Sequence, residues 1–112
     1  MYEDKILNRA IEYFGAECQL NKLTEEIGEL LVAVAHWRIG KDSANHVAEE
    51  IADAIIMLKQ AAKIIGVDTD VEKWHMVKLC ALEKRVGGLL RCGLGFRWLS
   101  TKKRTDANCA PF

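Results

Sequence analysis

Proline is almost missing from this chain: the single one is Pro111. The body is therefore free of the residue that most often breaks a helix. Long apolar runs are missing too. Half of the 112 residues are apolar, yet no segment approaches the ~20 consecutive apolar residues of a membrane span. A membrane partner is not expected. Net charge is absent, with 16 lysines and arginines against 16 aspartates and glutamates. Global electrostatics thus single out no polyanion, and nucleic acid is not an expected partner. The four cysteines, Cys18, Cys80, Cys92 and Cys109, include no CxxC pair. That argues against a disulfide framework or a zinc site. It leaves reduced thiols, some packed as small apolar residues, in a cytoplasmic protein. The opening MYEDKILNRAIEYFG is mixed in charge and helical in pattern, so it does not read as a signal peptide. No stretch alternates convincingly enough to predict a strand.

What is present is helical periodicity, punctuated by glycine. The spacing predicts a first helix from about Glu3 to Phe14, stopped near Gly15, and a second running to about Ile39, stopped by Gly40. Leu20, Leu23, Ile27, Leu30, Leu31 and Val34 form the apolar stripe of the second. Ser43 or Asn45 can cap a third helix that ends at Gly66, with Val47, Ile51, Ala54, Ile55, Leu58, Ala62 and Ile65 as its stripe. Thr69 and Glu72 have capping-box spacing, which predicts a fourth helix from near Asp70 to Gly87-Gly88, packed through Val71, Trp74, Val77, Leu82 and Val86. Four helices with short connections imply an all-α, antiparallel four-helix bundle spanning residues 1–88. Residues 89–112 form an extension, apolar from Leu89 to Leu99 and loose beyond Thr101.

Two acidic clusters interrupt the apolar stripes. One is Glu25-Glu26-Ile27-Gly28-Glu29; the other is Glu49-Glu50-Ile51-Ala52-Asp53. Residues three apart share a helix face. Like charges beside a core are costly unless a cation compensates them. Carboxylate oxygens are hard ligands, which points to magnesium, with manganese as the alternative, rather than zinc.

The pattern Glu25-Glu26-x-x-Glu29, a spacer of 20 residues, then Glu50-x-x-Asp53 resembles the MazG-like all-α nucleoside triphosphate pyrophosphohydrolases. KLTEEIGEL and AEEIADAIIML resemble that family's two core helices, and the likeness covers roughly residues 10–85. The resemblance implies a MazG-like bundle and hydrolysis of a nucleoside triphosphate to the monophosphate and pyrophosphate. It implies Glu26, Glu29, Glu50 and Asp53 as magnesium ligands, with Glu25 or Glu49 orienting or deprotonating the attacking water. Lys78 and Arg85, seven apart on the fourth helix, are the expected clamp for pyrophosphate, with Lys84 a weaker choice. Where some relatives carry an asparagine four residues after the lysine, this chain has Leu82. Trp37 or His36 can line a base pocket, although Trp37 also reads as a core or interface aromatic. His46, one turn before Glu50, can reach a phosphate or simply cap its helix, and Asn21 and Lys22 lie one turn before the first cluster.

Other readings remain open at the level of sequence. A phosphoribosyl-nucleotide substrate of the same superfamily would need the same acids. A ferritin-like di-iron bundle would need two Glu-x-x-His pairs, and only Glu72-x-x-His75 occurs. A non-enzymatic helical interaction module, binding through Arg91, Phe96, Arg97, Trp98 and Lys102 to Arg104, would leave the acids unexplained. Apolar residues on several helix faces, and in Leu89 to Leu99, imply a homodimer or higher homo-oligomer. In it Arg91 or Arg97 is expected to approach the neighbour's phosphate site.

Overall fold

The computed structural model describes residues 1–87. It is all-helical, with α1 Tyr2–Phe14, α2 Ala16–Arg38, α3 Ala44–Ile65 and α4 Asp68–Arg85, and no strand among the described residues. The chain divides into two compact units, Met1–Asp68 and the part from Thr69 onward.

Glycine ends the first unit's helices much as the spacing predicts. Gly15, at φ 90° and ψ 149°, is the only residue between α1 and α2. That backbone region is open essentially to glycine alone. Gly66, at φ 80° and ψ 32°, closes α3 in the left-handed conformation, with its N–H donating to Ala62 and Lys63 carbonyls. Of the two residues able to cap α3, Ser43 does so: its hydroxyl accepts the His46 N–H at 3.1 Å.

α2 and α3 form an antiparallel pair. Gln19 Nε2 donates to Gln60 Oε1 at 2.6 Å. Seven residues further along α2, Glu26 meets Asp53, seven residues back along α3. The line of contact is Gln19, Glu26 and Ala33 on α2 against Ala54, Met57, Gln60 and Ala61 on α3, all buried. α1 packs on both helices. Its Leu7 is buried, and Glu3 and Asp4 pair with Lys59 at 2.6 Å and Lys63 at 2.9 Å.

The α3 stripe differs from the expectation. Ile51, Ile55, Leu58 and Ile65 are exposed, and the buried face lies about a third of a turn away, on Ala54, Met57 and Ala61. Alanines, Met57 and Gln60 form the buried face of α3, and the bulky aliphatics are left on a neighbouring face. On α2, Leu31 is exposed, whereas Leu20, Leu23, Ile27, Leu30 and Val34 are half-buried beside the contact line.

α4 starts at Asp68, so Thr69 lies inside its first turn rather than ahead of it. The helix buries none of its residues, and the expected packing residues Val71, Trp74, Val77, Leu82 and Val86 are all exposed. Cys18 and Cys80 are exposed free thiols rather than packed ones. Cys92, Cys109, Arg91, Arg97 and the Leu89–Leu99 segment lie outside the described residues. Among the described residues no helix is long and apolar enough to cross a membrane.

Candidate functional site

The acids come together because Glu26 lies on the contact line of the α2–α3 pair and the others flank it. Ligand atoms of Glu26, Glu50 and Asp53 lie within 4.8 Å of one another, and so do those of Glu25, Glu26 and Glu29. Glu26 belongs to both sets and is the most enclosed of the five, with only 9% of its side chain exposed. Glu50 is half-buried; Glu25, Glu29 and Asp53 are exposed.

Such crowding has an electrostatic cost, visible at Glu29. Its carboxyl is pushed above the ordinary range, first by the charge of Glu26, then by burial, then by Glu50 and Glu25. On the other flank, Lys22 offsets the charge, with Nζ 2.7 Å from Glu26 Oε1 and 3.1 Å from Glu25 Oε1. These carboxylates hold the Lys22 ammonium well above its ordinary pKa.

A second chain of contacts reaches Glu50 along the start of α3. His46 Nδ1 lies 2.6 Å from Asp42 Oδ2, and its Nε2 lies 3.1 Å from Glu50 Oε1. The Asp42 hydrogen bond, followed by the Asp42 charge, raises the His46 pKa, and the same bond lowers that of Asp42. The other Glu50 oxygen, Oε2, is buried without a hydrogen-bond partner. A buried carboxylate oxygen without a donor is unstable unless a cation or a proton meets it. Together with an all-oxygen donor set, that orphan atom fits a hard divalent cation.

The acids separate two hollows. The larger, about 930 Å³, is lined by Glu25, Glu29 and Glu50 together with Gly28, His36, Asp42 and His46. Gly28 sits inside α2, where glycine costs about 1 kcal/mol relative to alanine. A Cβ there would meet nothing within 4 Å, so its missing side chain leaves the hollow wider. The smaller, about 480 Å³, is lined by the apolar Phe14, Ile56 and Met57, by Gln19 and Asn21, and by the charged Lys22, Glu25, Glu26 and Asp53.

Of the residues singled out from sequence, the structure brings together Glu25, Glu26, Glu29, Glu50 and Asp53, with Asn21 and Lys22 beside them. Glu49 is exposed and lines neither hollow. Trp37 is 51% exposed and also lines neither. Lys78 and Arg85 belong to α4, where Lys78 Nζ lies 6.0 Å from the Trp74 ring centroid. Three features were not anticipated: the Lys22 counterion, the Asp42–His46–Glu50 chain and the apolar lining at Phe14. The first two carry a signal in the i,i+4 spacing of opposite charges. No family model, no curated protein and no solved structure matches this chain.

Proposed function

We infer that the chain is a magnesium-dependent nucleoside triphosphate pyrophosphohydrolase of the MazG-like type, cytoplasmic, with manganese as a second usable ion. The observation that carries this reading is the convergence of acid pairs from α2 and α3, including the orphaned buried oxygen of Glu50. Glu26, Glu29, Glu50 and Asp53 are the ligands. Bound there, magnesium supplies charge neutralisation to the phosphate oxygens of the substrate. The remaining work falls to side chains. Glu25 borders both hollows, so it is better placed than the exposed Glu49 to aim a water at the α-phosphorus and take its proton. Lys22, whose Nζ lies 2.7 Å from Glu26 Oε1, would be the ammonium nearest the acids to meet a phosphate oxygen. The smaller hollow suits a base better than the surroundings of Trp37, since its lining combines apolar side chains and amides with the acids. Lys78 and Arg85 are the proposed pyrophosphate clamp.

The architecture proposed with this activity is an antiparallel four-helix bundle completed by dimerisation. Support for the dimer comes from the uncovered Ile51, Ile55, Leu58 and Ile65 of α3, a stripe of large aliphatics on one face. Light scattering at micromolar concentration tests it, and a monomer there refutes it. The activity is tested by pyrophosphate release from a panel of nucleoside triphosphates with magnesium present. Release from at least one, abolished by chelation, is the expected result; none from any member overturns the reading.

A further inference from the structure

The geometry points to His46 as a positioning residue that, anchored by Asp42, holds one oxygen of Glu50 and thereby presents the other to a divalent cation. This inference rests on the reading of Glu50 as a cation ligand. His46 and Glu50, four residues apart, share one face of the first turns of α3, and Asp42 lies just before its Ser43 N-cap. Nδ1 hydrogen-bonds Asp42 Oδ2 at 2.6 Å, and Nε2 lies 3.1 Å from Glu50 Oε1, an ion pair when the ring is protonated. Asp42 is itself fixed, its Oδ1 accepting the Ser43 N–H at 2.8 Å. The chain thus runs from the backbone at the α3 N-terminus to the acidic cluster.

Its effect is on the free oxygen. A glutamate side chain has three rotatable bonds, and an unrestrained Glu50 could turn both oxygens toward water. With Oε1 against His46, Oε2 stays buried without a hydrogen-bond partner, in a carboxylate that lies within 4.8 Å of ligand atoms of Glu26 and Asp53. Restraint of a ligand by an outer hydrogen bond typically changes metal affinity by about 10- to 100-fold. His46 is not a phosphate ligand in this arrangement, because both of its nitrogens are engaged.

The test is Mn²⁺ binding to the full chain, followed by electron paramagnetic resonance of the free ion, for wild type, His46→Leu, His46→Gln and Asp42→Ala. Circular dichroism checks that each variant keeps its helices. His46→Leu should weaken Mn²⁺ binding at least tenfold. His46→Gln, whose amide can still donate to Glu50, should recover to within about threefold of wild type. Asp42→Ala should shift affinity in the same direction as His46→Leu and by less. If His46→Leu binds Mn²⁺ as tightly as wild type, or more tightly, the imidazole is merely a neighbouring charge and the inference falls. Equal losses in the leucine and glutamine variants overturn it too. A wild type that binds Mn²⁺ but releases no pyrophosphate refutes the proposed activity and leaves the role of His46 standing. A wild type that binds no Mn²⁺ overturns both.

Discussion

The α2–α3 pair and α4 are built from similar helical material and end differently. α2 and α3 bury alanines, glutamines, a methionine and a glutamate along their contact line, while no residue of α4 is buried and Val71, Trp74, Val77 and Leu82 are exposed. Bulk hydrophobicity does not decide which face packs. The α2–α3 line mixes alanines with polar side chains, and Glu26 on it meets Asp53 of the facing helix. Within the same unit the large aliphatics Ile51, Ile55, Leu58 and Ile65 of α3 are exposed.

The largest effect expected is on catalysis. Glu29→Gln or Asp53→Asn should reduce pyrophosphate release to background while the helical circular dichroism signal is kept. Lys78→Ala on α4 should mainly raise KM. Steady-state kinetics of the three variants decides whether the chemistry belongs to α2–α3 alone. A wild-type rate in Glu29→Gln would end the proposal.

Next in size is the packing itself. Ala54 is 3% exposed, so Ala54→Leu should overpack the α2–α3 line and cost about 1–3 kcal/mol in chemical denaturation. Val77→Ser on α4 should stay within about 0.5 kcal/mol. A loss at Val77 as large as that at Ala54 would show the α4 face covered in solution.

Magnesium should then stabilise the protein through the acids. At ten times its dissociation constant the linkage amounts to about 1.4 kcal/mol, read as a rise in melting temperature. Glu29→Gln should lose most of that rise. Having lost one of the mutually repelling charges, it should melt no lower than wild type without metal. A melting curve indifferent to millimolar magnesium counts against the site.

The smallest effect concerns α1. The Lys63 ammonium holds the exposed Asp4 carboxyl below its ordinary pKa, and Asp4 in turn raises that of Lys63. The Asp4 contribution is present above the unfolded carboxylate pKa, near ~4, and fades as pH falls through the lower folded value. The Lys63 contribution is present below the unfolded amine pKa, near ~10.4, and fades as pH rises through the higher folded value. Hydrogen exchange in α1 should therefore quicken slightly at both extremes, and Asp4→Asn should remove the acid-side dependence and weaken the alkaline one, since Asp68 and Glu3 also act on Lys63.

Much of this arrangement was legible in the residues, for identifiable reasons. Gly15, Gly66 and Ser43 set helix ends because their backbone and capping chemistry is local. The acid pairs at 26/29 and 50/53 share faces because spacing on a helix is also local. The buried face of α3 was misread, since Ile51, Ile55 and Leu58 form an equally regular stripe and periodicity cannot tell which of two apolar faces meets a neighbour. The exposure of α4 escaped for the same reason. Glu50 Oε2 is an orphan only in three dimensions, and no pattern in the chain announces it.

The Gln19–Gln60 hydrogen bond has a consequence for how this sequence can change over time. Because the amides and the Glu26–Asp53 contact share one antiparallel alignment, that alignment does not depend on how many residues connect the helices. Insertions or deletions in the turn between Arg38 and Asp42, ahead of the Asp42–Ser43 cap, should be tolerated. One residue gained or lost between Gln19 and Glu26, or between Asp53 and Gln60, would break the agreement between the two contacts: either the amides meet or the acids do. Natural length variation in this lineage should accordingly collect in that turn and spare the two intervals.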